Sequence, residues 1–420
     1  MKIVELQADD FKKFASEYPY KHFCQTVEYG TLMDRHQFDD YYLGFVDESN
    51  IIYAATLILV NKVFIGYKWG YCPRGFLIDF NDFEMVKNFT IALKDYLVKR
   101  NFMFIKIDPA ITYKSRNIKG EEIPGINNEA IIENLKSLGY EHSGFNLNFE
   151  NLKPRWNAVA EFKDEDNIFS KFSKEKRNKI RKAEKLGIEI IKGAPEDIRT
   201  FYDYVEKKHS RKLNYYLDMY EIFGKEDMFE IYFANLNTSK YVEKSKQLYE
   251  EEEIRNNDIN QELENNTNSN NTNNIIKRKM HSDSLLNNYK QNIVNATNLF
   301  RDFPTQKIIA SCAIIKYNRE IFILICGYDR DFKQYCPTHY MLYQIMEKYH
   351  REGYNRFHLN GISGDFNKTA ELYGLTKFKL GFGTHIDEYI GEFTFVINKH
   401  KRNVYEKLNP ILTWLNTPVL

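Results

Sequence analysis

The segment Lys-Phe-Lys-Leu-Gly-Phe-Gly at positions 377–383 brings two lysines, two phenylalanines and two glycines together. A lysine held beside aromatic side chains can stabilise an oxyanion in a poorly hydrated site. Lys379 is the better placed of the two lysines, because Phe378 and Phe382 flank it. The competing interpretation is a lysine on an edge strand whose methylene stem covers an aromatic ring. The residues alone leave both interpretations open.

A second segment of interest is the run from Phe102 to Asp108. It predicts a buried strand that ends in a carboxylate and stops at Pro109. A carboxylate at the carboxyl end of a strand often faces the crevice where ligands bind. Asp108 could therefore orient an amine or accept a proton. An aspartate that only satisfies loop amides explains the same residues.

Arg74 lies in Tyr-Cys-Pro-Arg-Gly-Phe (71–76), which joins a predicted strand to a predicted helix. Gly75 indicates a backbone position that needs a positive φ, and Arg74 could meet an anion there. An ordinary turn is the alternative interpretation of this segment.

The most basic stretch of the chain, KEKRNKIRKAEK at 174–185, contains seven Lys or Arg and two Glu in twelve residues. Its apolar positions Ile180 and Ala183, followed by Leu186, predict a helix with a narrow buried stripe and a cationic face. Phosphates are the favoured partner of such a face, because each neutralised phosphate releases counterions. A solvated surface helix is the competing interpretation.

Composition excludes several classes of protein. Lys+Arg is 59 and Asp+Glu is 58 over 420 residues, so the chain does not coat nucleic acid, although a local basic patch is allowed. The five cysteines are scattered, which fits a reducing cytosol and predicts no metal site. The amino-terminal residues lack the apolar core of a secretory signal, and no apolar run predicts a membrane span. GxGxxG, P-loop, HExxH and GxSxG motifs are absent from the sequence.

Hydrophobic patterning predicts one mixed α/β unit near the amino terminus. Ile51 to Val60 reads as a buried strand, and Val63 to Tyr71 as its hairpin partner. Asp79 to Lys99 has apolar residues at steps of three and four, which predicts an amphipathic helix. The strand that ends at Asp108 follows it.

The same order of elements returns later in the chain. Strands are predicted at 308–316 and 321–327, a helix at 338–349 and a short strand at 356–359. A duplicated pair of α/β units explains the repetition, and two unrelated α/β domains are the alternative. The order matches an acetyltransferase-like fold. However, the turn at 329–337 contains no glycine and makes a poor cradle for coenzyme A.

Residues 238–301 differ in composition from both units. Four glutamates at 250–253 precede the Asn-rich tract 265–274, so we predict a disordered tip at residues 256–274. The flanks predict two helices that form an antiparallel, coiled-coil-like arm. The predicted domains are 1–150, 151–237 with 302–400, the arm at 238–301, and a C-terminal helix or tail at 401–420.

Several segments together carry a family resemblance. They are PYKHFCQTVEY (19–29), RGFLIDF (74–80), IDP (107–109), LGYEHSGF (138–145), the basic helix, GISGDF (361–366), FKLGF (378–382) and EYIGEF (388–393). In this order and at this spacing they resemble the FemA/FemB/FemX family of peptidoglycan interpeptide-bridge aminoacyltransferases. The resemblance implies an α/β (α+β) fold of two tandem acetyltransferase-like (GNAT-like) domains, with the acceptor in the cleft between them. It also implies the helical arm of FemA-like members.

The resemblance implies transfer of Gly, Ala or Ser from aminoacyl-tRNA, as co-substrate, to the stem or bridge peptide of a peptidoglycan precursor, which is either lipid II or UDP-MurNAc-pentapeptide. The reaction is ester aminolysis, which needs no metal or other cofactor. By similarity, Lys379 stabilises the oxyanion, Phe378 shapes the site, and Asp108 matches an acidic position near the acceptor. We predict further acceptor contacts by Arg74, Arg211, Tyr216, Tyr220 and Tyr328.

Three positions depart from the pattern of relatives that bind a nucleotide-linked acceptor. Met33 replaces a lysine, Tyr216 replaces a phosphate-contacting arginine that Arg211 lies near, and Ile325 replaces a tyrosine close to Tyr328. The changes fit a lipid-linked or already extended acceptor, and they also fit a weakened enzyme.

The resemblance implies a tRNA substrate, and charge indicates where the tRNA phosphates bind. On the basic helix we predict tRNA-phosphate contacts by Lys176, Arg177, Lys179, Arg181 and Lys182. We predict a cytoplasmic location, with peripheral membrane contact if the acceptor is lipid-linked. We also predict that the arm mediates self-association or pairing with a related transferase. The competing functions are an acyl-CoA N-acyltransferase of the same fold and a non-catalytic cell-wall partner protein.

Overall fold

The computed structural model describes residues 1–63, 66–208, 211–265 and 269–416, which form two β-sheets, surrounding helices and a long helical hairpin. The strands are β1 (Lys2–Glu5), β2 (Asp39–Val46), β3 (Ile52–Lys62), β4 (Lys68–Cys72), β5 (Phe102–Ile107), β6 (Thr112–Arg116), β7 (Glu122–Asn127), β8 (Tyr140–His142), β9 (Trp156–Glu161), β10 (Ile188–Lys192), β11 (Phe229–Asn237), β12 (Gln306–Tyr317), β13 (Glu320–Tyr328), β14 (Arg356–Gly361), β15 (His385–Tyr389) and β16 (Phe393–Val396).

The helices cover the faces of the sheets and form the hairpin. They are α1 (Ala8–Glu17), α2 (Val27–Asp34), α3 (Phe83–Lys99), α4 (Glu129–Ser137), α5 (Ile168–Lys171), α6 (Lys174–Lys185), α7 (Ile198–Val205), α8 (Leu213–Lys225), α9 (Thr238–Glu264), α10 (Ser269–Asp302), α11 (Pro337–Arg351), α12 (Tyr373–Leu380) and α13 (Lys399–Asn416). Short 3-10 turns occupy Phe23–Gln25, Pro195–Asp197, Glu206–Lys208 and Arg330–Tyr335. None of these described helices combines the length and the apolar character that crossing a bilayer requires.

Both sheets are built on one plan, which confirms the predicted tandem acetyltransferase-like units. The first sheet has the order β1-β2-β3-β4-β5-β16-β8, and the second has the order β10-β11-β12-β13-β14-β9-β15-β6-β7. All neighbouring strands are antiparallel except β4 with β5 and β13 with β14, which are parallel. A helix connects each parallel pair, α3 in the first unit and α11 in the second. The elements predicted for each unit are present, although α3 begins at Phe83 because Asp82 caps it by accepting from the Met85 amide.

The two parallel strand pairs differ in the length over which their strands remain paired. Strands β4 and β5 remain paired to their carboxyl ends, where Cys72 faces Ile107. Strands β13 and β14 pair only up to Phe322 and His358, although both continue beyond that point. The second sheet is therefore split between β13 and β14.

Strands cross between the two predicted domains. Strand β16, from the carboxyl-terminal part of the chain, pairs with β5 and β8 in the first sheet. The β6–β7 hairpin, from the amino-terminal part, joins the second sheet through β15. The predicted boundaries, residues 1–150 for the first domain and up to residue 400 for the second, are wrong for these segments. Local patterns predict a strand but do not identify a distant partner for its backbone groups.

The arm consists of α9 and α10, and the disordered tip predicted at 256–274 is wrong for most of its length. Helix continues to Glu264 and resumes at Ser269, while residues 266–268 lie outside the described part of the chain. The Asn256 side-chain amide donates to Ser282 Oγ at 3.0 Å across the hairpin. Ile259 and Ile275 are buried, so the arm has apolar contacts despite its polar composition.

Replacing Phe393 by alanine tests the strand exchange. Phe393 is fully buried in β16, opposite Ile107 and His142. We expect Phe393→Ala to lower the free energy of unfolding by about 3–5 kcal/mol, the usual cost of removing a buried phenylalanine. Urea denaturation measures the change. Phe300→Ala on α10 is the matched control, since Phe300 is exposed and its loss should cost only about 0.5 kcal/mol. Equal effects of the two variants would contradict the exchange.

Candidate active site

Lys379 lies in the last turn of α12 rather than on an edge strand. Its ammonium Nζ donates a hydrogen bond of 2.8 Å to the backbone carbonyl of Gly361, at the carboxyl end of β14. Burial lowers the pKa of Lys379 to about 8. The group therefore keeps its proton at neutral pH while it sits in a poorly hydrated place, which is the condition that oxyanion stabilisation requires.

A cavity of about 710 Å³ opens beside Lys379, and we call it the Lys379 cavity. It is bordered by the separated part of β13, by the start of α11 and by α12. Five lysines and one glutamate line it: Lys176, Lys179, Lys333, Lys377, Lys379 and Glu175. Glu175 is shared by Lys179 at 2.7 Å and by Lys377 at 3.0 Å. The cavity therefore keeps a positive excess, which suits a phosphate-bearing ligand.

The structure corrects the assignment of Lys176 to the solvated face of α6. Lys176 is only 4% exposed, and its Nζ lies 4.0 Å from the ring centroid of Phe378 and 5.0 Å from that of Phe382. Space for its stem comes from Gly381, where a Cβ would lie 2.8 Å from Lys176 Cγ. Lys176 belongs to the interior of the Lys379 cavity.

The other four cations predicted to contact tRNA phosphates occupy different positions. Arg177 donates to two backbone carbonyls at the end of α5, and Lys179 is paired with Glu175. Arg181 and Lys182 are exposed to solvent. These last two have the position that the prediction of phosphate contacts requires.

Arg74 and Asp108 form a buried pair at the carboxyl ends of β4 and β5. The Arg74 backbone N–H donates to Asp108 Oδ1 at 2.7 Å, and Nη1 lies 3.3 Å from Oδ2. The guanidinium also donates to the Pro154 carbonyl at 3.0 Å and lies over the Tyr389 ring at 4.8 Å. Burial raises the pKa of Asp108, and the charge of Arg74 opposes that rise. The anion that Arg74 meets in this structure is thus the carboxylate of the chain itself.

The positive φ expected at Gly75 is found one residue earlier, at Arg74 (φ 56°). Gly75 is needed for a different reason. A Cβ there would lie 2.8 Å from Gln25 Nε2 and 3.1 Å from Thr56 Oγ1, so a side chain would displace a buried polar contact. The turn presents the Arg74 amide to Asp108 because of this conformation.

A second cavity, of about 430 Å³, lies between the two units, and we call it the interdomain cavity. Arg74 lines it from the first unit, and Glu320 and His358 line it from the second. Glu320 and His358 belong to the paired part of β13 and β14, whereas Ile323 and Leu359, just beyond it, line the Lys379 cavity. The same two strands therefore border both cavities.

The remaining predicted acceptor residues are dispersed. Arg211 donates from Nη1 to the Tyr215 hydroxyl at 2.8 Å. Tyr216 is 3% exposed and packs edge-on against Phe201, so it is part of the core. Tyr220 packs against Phe229 at a ring distance of 5.8 Å.

The structure also locates Met33 and Ile325, which depart from the family pattern, and Tyr328, which lies near Ile325 in the sequence. Tyr328 and Ile325 both line the Lys379 cavity. Met33 is fully buried in an apolar cluster that both units share. Met33 and the core tyrosine Tyr216 therefore serve packing, while Ile325 makes one wall of the cavity apolar.

Sequence reasoning missed His339, whose Nε2 lies 3.3 Å from Lys176 Nζ inside the Lys379 cavity. No short motif marks this histidine. The available signal was its place in the first turn of the helix that follows the split strand β13. Within the described residues, no group of three or more His, Cys, Asp or Glu side chains could hold a metal ion.

Comparison with known proteins gives consistent matches along the whole chain. The model of the FemAB family matches residues 6–409. The Aminoacyltransferase FemA of Staphylococcus epidermidis is 26% identical over 420 residues, which cover 98% of this chain and 100% of the relative. The FemA protein of Staphylococcus aureus strain N315 is 25% identical, with 98% and 99% covered. The crystal structure of FemX superposes with a TM-score of 0.73 at 20% identity, covering 97% of this chain and 100% of FemX.

The Arg74–Asp108 pair yields a test of its own. We expect Asp108→Asn to lower the free energy of unfolding by about 3–5 kcal/mol, because it leaves the buried Arg74 charge without its counter-charge. The double variant Arg74→Met, Asp108→Asn should cost less than the sum of the two single variants, with a coupling of about 0.5–3 kcal/mol. Urea denaturation of the three variants measures this coupling. Strict additivity would show that the two side chains do not stabilise each other.

Proposed function

The chain belongs to the FemAB family, and on that premise we propose that it moves an aminoacyl group from aminoacyl-tRNA to the peptide of a peptidoglycan precursor. It is an aminoacyltransferase, like the FemA proteins that it resembles over almost its full length. The observation that carries the assignment of substrates is the split between β13 and β14, because two cavities border this pair of strands and a buried lysine of α12 bonds to the end of β14.

The chemistry is aminolysis of an ester. The acceptor amine attacks the carbonyl carbon of the aminoacyl ester, a C–N bond forms, and the bond to the ribose oxygen breaks. Between these events the carbonyl oxygen carries a negative charge, which a fixed cation in a site without bulk water stabilises strongly. Lys379 is suited to that role because the Gly361 carbonyl orients its ammonium and burial removes competing water.

The Lys379 cavity is the proposed place for the aminoacylated end of tRNA. Its lining lysines provide the positive potential that a phosphodiester chain requires, and Arg181 and Lys182 extend that potential onto the surface of α6. Phe378 contributes an aromatic wall next to Lys379. Aromatic faces are suited to stacking of a terminal base.

The interdomain cavity is the proposed place for the acceptor peptide. It is bordered by both units, and Arg74 lies at its wall with the buried Asp108 behind it. Lys21, His22 and Arg356 add positively charged or polar groups that suit peptide carboxylates and carbonyls. Both cavities border β13 and β14, and the proposal requires the amine and the ester to meet at the split between these strands.

Transfer from acyl-coenzyme A is the alternative on this fold, and the turn before α11 disfavours it. In that turn the left-handed position is occupied by Cys336 (φ 56°) rather than by a glycine, and the Lys333 side chain stands close by. A glycine-rich turn, which would bring successive amides to a pyrophosphate, is missing. We therefore propose aminoacyl-tRNA as the donor, with no further cofactor.

The choice of acceptor determines the location. With lipid II as acceptor the protein would work in the cytoplasm and touch the membrane peripherally, and with a nucleotide-linked muramyl pentapeptide it would work without membrane contact. The arm of α9 and α10 extends from the second unit and is the proposed surface for self-association or for pairing with a related transferase.

Replacing Lys379 by methionine tests the reaction. Purified protein is incubated with radiolabelled aminoacyl-tRNAs and either lipid-linked or nucleotide-linked muramyl pentapeptide, including acceptors that already carry a first bridge residue. We expect label on one acceptor, and a fall in kcat of about 10²–10³-fold in Lys379→Met, because the oxyanion loses its cation. Circular dichroism and the urea midpoint control for folding. No transfer by the native protein to any acceptor would refute the proposed function.

The pH dependence gives an independent check on Lys379. The ammonium is the active form, and its pKa is lowered to about 8 by burial, so kcat should fall as pH rises through about 8. In Lys379→Arg, whose side chain stays charged, this alkaline fall should move to higher pH. The measurement is kcat between pH 6 and pH 10 under saturating donor. An alkaline fall that is identical in the arginine variant would assign it to another group.

A further inference from the structure

Lys176 is the second buried lysine in the Lys379 cavity. It is the third residue of α6, and its side chain turns away from the solvent face that carries Arg181 and Lys182. The methylene stem lies against the backbone of Gly381, and the amine reaches the cavity wall between Phe378 and Phe382. A lysine that only served tRNA binding would gain nothing from this burial.

The amine of Lys176 has one polar partner in the described structure, the imidazole of His339. His339 Nε2 lies 3.3 Å from Lys176 Nζ, and its ring stands edge-on to Phe378 at 5.0 Å. His339 Nδ1 is buried and has no hydrogen-bond partner among the described residues. The imidazole therefore fixes the position of the lysine amine through Nε2, while its Nδ1 stays buried without a hydrogen bond among the described residues.

Burial and neighbouring charges both disfavour the protonated form of Lys176. Burial is the largest cause of a pKa lowered to about 7, and Lys179 and Lys377 add to it, while Glu175 and Cys336 oppose it. Lys379 and Lys333 line the same cavity. The neighbouring His339 does not compete for the proton, since burial and then the charge of Lys176 lower its pKa to about 3.

We propose that Lys176 accepts the proton of the attacking amine, and that His339 positions it for that transfer. This inference rests on the proposed function. The neutral Lys176 amine takes a proton from the acceptor nitrogen once the C–N bond has formed. The resulting ammonium gives that proton to the ribose oxygen as the ester C–O bond breaks. One proton thus moves from the amine to the released ribose hydroxyl, and Lys176 returns to its neutral state.

The two lysines then have different tasks in one cavity. Lys379 donates to the Gly361 carbonyl and keeps its charge for the oxyanion. Lys176 is held by an imidazole, accepts a proton from the amine and passes it to the ribose oxygen. Lys176 is a proton-transfer residue, and His339 is a positioning residue that acts through it.

The test measures kcat as a function of pH for Lys176→Met and Lys176→Arg in the transfer assay. The controls are the native protein and Lys94→Met, since Lys94 is an exposed lysine on α3. Methionine keeps the packing of the stem, whereas arginine keeps a charge but cannot release its proton. We expect kcat to fall by about 10²-fold or more in both variants, with KM for aminoacyl-tRNA nearly unchanged. Lys94→Met should match the native protein.

The acid side of the profile separates proton transfer from a structural role. In the native protein kcat should fall below pH of about 7, because Lys176 becomes protonated there. This fall should disappear in Lys176→Met. The proposal is overturned if Lys176→Arg retains the native kcat, if the loss lies in KM alone, or if the acid fall persists in Lys176→Met.

A second measurement does not depend on transfer. Competitive acylation of the native protein with a small anhydride, followed by mass spectrometry of the Lys176 peptide, reports the fraction of neutral amine at each pH. A midpoint near 7 supports the proposal, and a midpoint near the ordinary value of about 10.4 overturns it. If the native protein transfers nothing, the proposed function fails, and this titration still decides whether Lys176 is a neutral amine near neutral pH.

Discussion

The separation of β13 and β14 beyond Phe322 and His358 is the constraint on which the rest of the site depends. Parallel strands that stop pairing leave backbone groups without a ladder, and buried groups of that kind must find other partners. The Asn360 side chain donates to the Ile323 carbonyl, and the Lys379 ammonium donates to the Gly361 carbonyl. Lys379 thus helps to hold open the gap in which its charge is used.

The two units show how a duplicated fold can be divided between tasks. In the first unit β4 and β5 stay paired to Cys72 and Ile107, so no gap opens, and the Arg74–Asp108 pair closes that end of the sheet. Among the described residues, the diverging parallel strands that border a cavity are those of the second unit. Because β16 and the β6–β7 hairpin are exchanged between the sheets, the units share backbone hydrogen bonds and the interdomain cavity has fixed walls.

Much of the fold could be predicted from the sequence because hydrophobic periodicity is local. Apolar runs marked the strands of both units, and an aromatic setting marked Lys379 as a candidate. Lys176 could not be assigned correctly, since its place in a basic helix gives no sign that Gly381, distant in sequence, leaves space for its stem. The strand exchange and the helical tip of the arm were missed for a similar reason. Their stability depends on non-local contacts, such as Asn256 with Ser282, that composition does not reveal.

Burial disfavours the ammonium form of both lysines in this poorly hydrated cavity, and the charges of Lys179 and Lys377 add to that effect at Lys176. Neighbouring groups decide which lysine keeps the proton. Lys379 donates to a carbonyl oxygen, which stabilises an ammonium, whereas the like charges of Lys179 and Lys377 disfavour the ammonium of Lys176. An aminoacyl ester carries its own α-ammonium next to the reacting carbonyl, and this charge would lower the pKa of the nearer lysine further. With the α-ammonium on the Lys176 side of the cavity, donor binding would sharpen the division between a fixed cation at Lys379 and a proton acceptor at Lys176.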